Sequence, residues 1–453
     1  MIKRIGSGLL AAVMCLSLWG CKQPAEPVVT EPKCDHQMGD WLVKRQATCA
    51  KVGREERICT VCYYSESREI PMIEHTYKNG SNMCKKCYYV KMDPNGQVVE
   101  LGITSERSFG PESLANACWD VKIWNGQVFR GAGDYDKNAG ATPIFAFDIA
   151  TGRWQNYGTV PDMAVHSYEV IDGKLCVPGI DPSGGWSLGN YYYLEDGKWK
   201  TKRTIPNGVH NFDMIEFDGK IFAGVGTEDV EDTVAVSTDG GENWSYVPLY
   251  EDGKPLDTTG YKWTRTYEFT QYNGQLYALL SFQLGFGSKH MLFRYENGKM
   301  IVVNDQVFPL IGGISVGRKY WNGEFEFDGA CYITASSLYA IRDFSDQENF
   351  EVIKMPNGER VADAFLRDGV IYTLTFNQDA KTKEFNVVIY KSTTGKTGSF
   401  TPVTSFTYSV PPVSFDYDGN HFYVGMGYYS TAKAKCGMVL RVNPNRVRGL
   451  EPK

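Results

Sequence analysis

The sequence predicts an all-β chain, a seven-bladed β-propeller preceded by a small Cys/His-rich, zinc-ribbon-like module. The main observation is a sequence repeat that consists of an apolar strand, an Asn-Gly or Asp-Gly pair, and a second apolar strand. It occurs seven times, starting at Asn125, Asp172, Asp218, Asn273, Asp328, Asp368 and Asp418. These pairs supply the positive φ angles of two-residue hairpin turns, and steps of 40 to 55 residues suit one four-stranded blade each. Aromatic residues make up 13% of the 453 residues, as pleated strands favour.

The blade number follows from the third strand of each repeat. These segments are PIFAFD (143–148), NYYYLED (190–196), DTVAVSTD (232–239), KHMLFRYE (289–296), SSLYAIRDF (336–344), NVVIYKST (386–393) and GMVLRV (437–442). The seventh repeat has no outer strand of its own, so residues 97–104, QVVELGIT, are predicted to supply it. Such a closure removes an exposed sheet edge. The propeller is therefore expected to span residues 95–445.

The N-terminus has the layout of an export signal. In residues 1–20 a basic start precedes an apolar run from Leu9 to Trp19, which is too short to cross a bilayer. The stretch Leu18-Trp19-Gly20-Cys21 resembles a bacterial lipobox, in which the Cys is acylated; an ordinary signal peptide is the alternative. Residues 21–33 contain three prolines and are typical of a tether. The resemblance implies a chain anchored through Cys21 to the bacterial cell membrane, outside the cytoplasm.

Residues 34–90 are predicted to form a separate module with eight metal-ligand side chains. These are Cys34, His36, Cys49, Cys59, Cys62, His75, Cys84 and Cys87. Each Cys-x-x-Cys pair lets two thiolates approach one ion from a tight turn, and eight donors would fill two tetrahedral zinc sites. Residues 47–77 also resemble a short repeat of bacterial surface proteins, except that Tyr63 stands where Gly is usual. Because an exported chain meets oxidising conditions, a disulfide framework is the alternative. In both cases the role is structural.

One turn carries a more specific resemblance. Ser237, Asp239, Gly241 and Trp244 match the pattern S-x-D-x-G-x-x-W, the Asp box of sialidase-like propellers, and the blade repeat is also kelch-like in length. In the sialidase-like family the Ser and Asp brace the turn while the Trp packs between blades. The resemblance therefore implies a structural role for these four residues and does not bring an active site.

The sequence lacks the residues that a sialidase needs for catalysis. Such an enzyme needs three arginines around a carboxylate, a Tyr nucleophile with a Glu partner, and an acid/base Asp. The first blade has no Arg-Ile-Pro motif, and the related stretch at Arg203–Pro206 falls in an outer strand. No catalytic residue can be identified from the sequence, so a binding function without catalysis is favoured.

Long polar connections between the second and third strands, and between blades, lie on one face of the predicted ring. Loops on a rigid scaffold concentrate binding residues, so this face is the predicted ligand-binding surface. Its candidate ligand-binding residues are Trp186, Trp263, Trp321, His166, His210, Arg265 and Tyr428. Flat aromatic faces suit sugar rings or protein side chains. The alternative for each His is a structural hydrogen bond, and for the aromatic residues, packing under their own loops.

The charge of the chain indicates which kinds of partner it can bind. The net charge is −6 and the chain has no Lys/Arg run, so nucleic acid is not an expected partner. The favoured function is a cell-envelope lipoprotein whose propeller binds a glycan or protein ligand. The alternatives are a glycoside hydrolase of a sialidase-like family and an envelope assembly scaffold.

Overall fold

The computed structural model describes residues 34–77, 81–102, 114–133, 140–183, 185, 187–227, 230–305 and 322–444. The chain divides into two compact units, one ending at Ile73 and the other beginning at Glu74. Within the described ranges, no helix has the length and apolar character needed to cross a bilayer.

The first unit contains one antiparallel three-stranded sheet, formed by Leu42–Arg45, Gly53–Ile58 and Ser65–Ile70. All four residues of its first strand are exposed. Ion pairs rather than apolar contacts join the strands, as between Arg57 and Glu66, whose Nη2 and Oε2 atoms are 2.6 Å apart. The described part of this unit therefore buries little apolar surface.

The second unit contains seven four-stranded antiparallel blades, as predicted. Five of them are separate sheets, whereas blades 3 and 4 belong to one ten-stranded sheet, joined where Gly226 pairs with Arg265. Blades 1 to 3 consist of Val121–Trp124, Gln127–Arg130, Thr142–Asp148 and Arg153–Val160; Glu169–Ile171, Lys174–Pro178, Leu188–Glu195 and Lys198–Pro206; His210–Phe217, Lys220–Gly226, Val234–Ser237 and Ser245–Tyr246. Blades 4 to 6 consist of Thr264–Tyr272, Gln275–Gln283, Ser288–Glu296 and Lys299–Asn304; Asn322–Phe327, Ala330–Thr334, Leu338–Ile341 and Glu351–Ile353; Arg360–Arg367, Val370–Gln378, Phe385–Ser392 and Thr401–Tyr408. Blade 7 consists of Pro412–Tyr417, Phe422–Met426, Val439–Val442 and Val98–Gly102.

The ring closes through a strand from before the first blade. Val98–Gly102 pairs antiparallel with Val439–Val442, so that Val98 lies opposite Val442 and Gly102 opposite Val439. The predicted closure is therefore confirmed. Leu101, within the closing strand, is fully buried.

Smaller elements complete the described secondary structure. Short strand pairs are formed by Ala132–Gly133 with Ala164–Val165 and by Leu249–Glu251 with Lys254–Pro255. Three 3-10 turns cover Leu114–Asn116, Gln347–Asn349 and Lys433–Lys435.

The hairpin turns explain why the repeat is visible in the sequence. Six of the seven repeat residues have φ between 47° and 51°, namely Asn125, Asp172, Asp218, Asn273, Asp328 and Asp368. The prediction of a two-residue turn is wrong for the seventh. There Tyr417 pairs with Phe422, and the Asp418 carboxylate accepts the backbone N–H groups of Asn420 and His421 at 2.7 Å each. The carboxylate thus organises a four-residue loop.

One predicted long loop is also corrected. The connection between the second and third strands of blade 4 is one of the predicted long connections, but the second strand continues to Gln283 and the third begins at Ser288. Only the turn Leu284–Gly287 remains, because cross-strand pairing continues up to Gln283 and Ser288.

The turn after the third strand of blade 3 is braced by side chains. Ser237 Oγ accepts the N–H of Gly241 at 2.9 Å, and Asp239 Oδ1 accepts the N–H of Asn243 at 2.9 Å. Hydrogen bonds from Asn243 lower the pKa of Asp239 to about 2. Trp244 Nε1 donates to Thr204 Oγ1 of blade 2 at 3.0 Å. The turn is thus tied to the preceding blade.

Candidate functional site

Four predicted metal ligands form a cluster within the first unit. Cys34, His36, Cys59 and Cys62 place one ligand atom each within 4.8 Å of one another. The Cys34 and Cys59 sulfurs are 3.8 Å apart, and His36 Nδ1 is 3.2 Å from Cys62 Sγ. Two thiolates bound to one tetrahedral zinc at about 2.3 Å would be about 3.8 Å apart. The cluster therefore fits a structural metal ion with four protein ligands.

A second group of ligands lies in the second unit. His75, Cys84 and Cys87 also place their ligand atoms within 4.8 Å of one another, and His75 Nδ1 is 3.3 Å from Cys87 Sγ. The eighth predicted ligand, Cys49, is buried and belongs to the first unit. No disulfide links the described cysteines. A pair of thiols with an imidazole is compatible with metal, and the disulfide framework is not observed in the described part of the chain.

Backbone N–H groups prepare one thiol of each group for metal binding. The N–H of Cys62, together with that of Val61, lowers the pKa of Cys59 to about 6. Burial would raise the pKa of Cys84, but the N–H groups of Cys87 and Lys86 outweigh it and lower that pKa to about 6. Thiolates are the metal-binding form of cysteine. In the first cluster, hydrogen bonding with Cys62 raises the pKa of Cys34 to about 12.

The residue after each Cys-x-x-Cys pair has left-handed backbone geometry. Tyr63 has φ 62° and its N–H donates to the carbonyl of Cys59 at 3.0 Å. Tyr88 has φ 57° and its N–H donates to the carbonyl of Cys84 at 3.1 Å. Glycine adopts this conformation without strain, which accounts for Gly in the repeat that residues 47–77 resemble. In each knuckle the next residue, also Tyr, stacks on the ligand His, at 4.4 Å for His36 and 4.6 Å for His75.

Three of the predicted ligand-binding residues meet near the inner strands of blades 3 and 4. The guanidinium carbon of Arg265 is 4.3 Å from the ring centroid of Trp263 and 5.6 Å from that of Phe212. The Phe212 ring in turn lies 5.7 Å from His210 and 4.6 Å from Tyr267. We call these five residues the Arg265 cluster.

Each polar member of the cluster is held in place. His210 Nδ1 is 2.8 Å from the carbonyl oxygen of Ile180, which leaves Nε2 for a ligand. Burial, with a smaller contribution from the nearby Arg265 charge, lowers the pKa of His210, so the ring is neutral at pH 7. Arg265 Nη1 donates to the hydroxyl of Tyr267 at 3.5 Å. Within the described ranges no carboxylate forms an ion pair with Arg265.

Exposed apolar side chains lie next to the cluster. Gln283 exchanges backbone hydrogen bonds of 2.9 Å with Lys262 and Trp263, so the turn Leu284–Gly287 adjoins Trp263. The Phe286 side chain at this turn is fully exposed. An exposed aromatic residue on a short, paired turn offers a rigid contact surface to a ligand.

The other predicted ligand-binding residues lie elsewhere. His166 lines a cavity between inner strands and meets the Trp119 ring edge-on at 5.5 Å. Tyr428 packs against the apolar core of blades 6 and 7. Trp186 and Trp321 lie outside the described residues, as does Cys21.

The cavity that includes His166 has a volume of about 310 Å³ and is lined by inner strands of several blades. Its carboxylates are Asp120, Glu169, Glu324, Asp363 and Asp416. Three of them join neighbouring blades through backbone N–H groups: Asp120 accepts from Tyr168 at 2.9 Å, Asp363 from Phe415 at 3.0 Å and Asp416 from Ile123 at 2.7 Å. Burial raises the pKa of Asp363 to about 7.

Sequence reasoning missed these carboxylates, although a signal exists. Asp120, Asp213, Glu268 and Asp363 each stand five residues before a repeat turn residue. In blade 3, Asp213 Oδ2 likewise accepts the N–H of Phe269 in blade 4 at 2.7 Å. In four of the seven repeats an acidic residue thus stands five positions before the turn, and at Asp120, Asp213 and Asp363 it joins neighbouring blades. Phe212 and Tyr267 were also missed; they alternate with His210 and Arg265 along their strands.

Comparison with known proteins finds distant similarity to solved structures only. No protein-family model matches the chain, and no curated protein matches it. The chain is similar to the solved structure of YCF48 bound to D1 peptide, with 11% identity and a TM-score of 0.42 over 81% of this chain and 100% of that one. It is also similar to the polysaccharide lyase Uly1, with 10% identity and a TM-score of 0.41 over 74% and 91% of the two chains. A third is the β-propeller domain of the Trilobed protease from Pyrococcus furiosus, with 12% identity and a TM-score of 0.40 over 72% and 93%.

Proposed function

We propose that the chain is a cell-envelope lipoprotein whose propeller binds an anionic glycan at the Arg265 cluster, without catalysis. The observation that carries the proposal is the state of Arg265. Its guanidinium lies against the rings of Trp263 and Phe212, and no carboxylate of the described residues pairs with it. A guanidinium that lies against aromatic rings, with no acidic partner among the described residues, can bind an anionic group of a ligand.

The neighbouring groups favour a sugar over a simple ion. The Trp263 ring lies against Arg265, the neutral His210 contacts the Phe212 ring of the same cluster, and the exposed Phe286 is on the turn that adjoins Trp263. Sugar rings stack on aromatic faces while their hydroxyl groups pair with polar side chains. A glycan that carries carboxylate or sulfate groups would use both features at once.

Three of the five carboxylates that line the cavity support binding without turnover. A glycosidase of the usual kind needs two carboxyl groups available to its substrate. Asp120, Asp363 and Asp416 instead accept backbone N–H groups from the neighbouring blade. We assign them to the joints between blades.

Zinc is the proposed metal, with a structural role. Cysteine thiolate and imidazole ligands suit zinc, and four protein ligands at Cys34, His36, Cys59 and Cys62 leave no open position for a substrate. A lipid on Cys21 would then hold this module and the propeller at the membrane surface, which fits capture of an extracellular glycan.

The test uses the full chain made soluble by Cys21→Ser, with binding measured to acidic and neutral polysaccharides of matched backbone. We expect binding of the acidic form and at least about a tenfold rise in Kd for Arg265→Ala and for Trp263→Ala. The control is Lys299→Ala with Tyr250→Ala, a cation–π pair of 4.0 Å at the outer strand of blade 4. The control should bind as the parent does.

Four outcomes would overturn parts of the proposal. Equal binding by Arg265→Ala, or binding of the neutral polysaccharide alone, would remove Arg265 from the site. Binding of an acidic protein but of no polysaccharide would favour the envelope scaffold. Retention of radiolabelled fatty acid by the Cys21→Ser chain would contradict the lipid anchor.

A glycoside hydrolase is the second candidate, favoured by one observation. Asp363 lines the 310 Å³ cavity with a pKa of about 7, in the range of a general acid. Turnover of fluorogenic glycosides by the soluble chain, abolished in a folded Asp363→Asn variant, would favour this candidate. We expect no turnover.

A further inference from the structure

The second knuckle, residues 84–90, continues directly into an edge of blade 1. The carbonyl of Tyr88 accepts the N–H of Trp154 at 3.1 Å, and the N–H of Val90 donates to the carbonyl of Gly152 at 2.8 Å. Between them, Tyr89 lies opposite Arg153. Residues 88–90 therefore add a short antiparallel edge to the outer strand Arg153–Val160.

That outer strand is tied to the strand that closes the ring. Trp154 Nε1 donates to the carbonyl of Leu101 at 2.8 Å. Leu101 belongs to Val98–Gly102, the outer strand of blade 7. Trp154, Leu101 and Val90 are buried in one apolar cluster. Three hydrogen bonds and this cluster thus connect the knuckle with the closing strand.

The shape of the knuckle depends on its ligand residues. Tyr88 holds a left-handed conformation that an L residue adopts at a cost, and it is the Tyr88 carbonyl that pairs with Trp154. The Tyr89 ring stacks on the ligand His75 at 4.6 Å with an angle of 16°. A metal ion bound by His75, Cys84 and Cys87 would fix both residues, because binding free energy of a structural metal stabilises the fold around it.

We propose that a metal ion in the second knuckle stabilises closure of the propeller ring, through Tyr88, Val90 and Trp154. The inference rests on the proposed zinc binding and extends it from the small module to the stability of the propeller. Loss of the metal would release the edge at residues 88–90 and weaken the hold of Trp154 on Leu101.

The experiment measures hydrogen exchange of the full Cys21→Ser chain, loaded with zinc, before and after addition of a chelator. Zinc content is measured on the same samples. On chelation, amides of residues 98–102 and 152–156 should exchange at least about tenfold faster, because the free energy of local opening becomes smaller. Amides in blades 3 and 4 should not change.

A pair of ligand variants separates the two knuckles. Cys87→Ser should reproduce the effect of chelation at residues 98–102, whereas Cys62→Ser in the first knuckle should leave those amides as in the parent. A third variant, Trp154→Phe, tests whether the effect passes through Trp154. It should keep the zinc content but lacks the indole N–H that donates to the carbonyl of Leu101. Exchange at residues 98–102 should then be fast with or without zinc. Trp199→Phe, at the same place in blade 2, is its control.

The outcomes distinguish the two proposals. A chain that binds no zinc would overturn the metal proposal itself. A chain that binds zinc, but whose amides at 98–102 exchange equally before and after chelation, would overturn only the coupling to closure. Equal effects of Cys62→Ser and Cys87→Ser at 98–102 would also overturn it.

Discussion

The two Cys-x-x-Cys knuckles have the same local geometry and different surroundings. Each places a Tyr in the left-handed region directly after its second Cys, and a second Tyr on its ligand His. In the first knuckle Tyr63 and Tyr64 are 80% and 50% exposed. The second knuckle leads to the fully buried Val90. The ligand spacing thus determines the turn, while the next few residues determine whether the turn supports only itself or a larger domain.

Removal of metal should have its largest effect on the first unit. Its described sheet holds exposed strands and ion pairs, so little apolar burial remains once the ligands separate. We expect a chelator to abolish protection of the amides of Gly53–Ile58 and Ser65–Ile70, and to open them to proteolysis. Hydrogen exchange and limited proteolysis check this. If these amides stay fully protected without metal, the first unit does not depend on its metal for stability, and the proposed difference between the two knuckles is contradicted.

A matched pair of valines tests burial at the two knuckles. Val90 is fully buried, whereas Val61 is 61% exposed. Val90→Ala should lower the free energy of unfolding of the propeller by about 2 kcal/mol, from the lost methyl groups and the cavity left behind. Val61→Ala should change stability by less than about 0.5 kcal/mol. Denaturant unfolding with zinc present measures both, and equal effects would remove the distinction between the knuckles.

The smallest expected effect concerns the two left-handed tyrosines. Tyr63→Gly should stabilise the first unit by about 0.5–1 kcal/mol, because glycine adopts a φ of 62° without strain and the exposed ring has few contacts to lose. Tyr88→Gly should destabilise instead, since the Tyr88 ring packs against the cluster around Trp154. Hydrogen exchange in zinc gives the sign of each change. The same sign in both would indicate that backbone strain outweighs packing at Tyr88.

The sequence predicts those parts of the fold that short-range chemistry decides. Asn-Gly and Asp-Gly pairs mark hairpins because few other residues accept positive φ, so the blade number and the closing strand could both be inferred. The seventh turn differs because Asp418 uses its carboxylate on two backbone N–H groups, which the letters Asp-Gly alone do not indicate.

The candidate site was less predictable because it depends on contacts between distant strands. The sequence places Arg265 and Trp263 on the predicted loop-rich face, but Phe212, on another blade, completes their arrangement. His166 has a similar place in its repeat and lies in another cavity. Tyr428 is half-buried and packs against the core of blades 6 and 7. Packing between blades decides which of several similarly placed side chains come together in one site. A single sequence does not reveal this packing.

The closing strand has a consequence for biogenesis. Val98–Gly102 leaves the ribosome early, and its partner Val439–Val442 more than three hundred residues later. Until then the nascent chain carries an apolar segment whose backbone has no partner, which is prone to aggregation. Val90 and Trp154, which pack with Leu101 of this segment, are both synthesised long before the last blade.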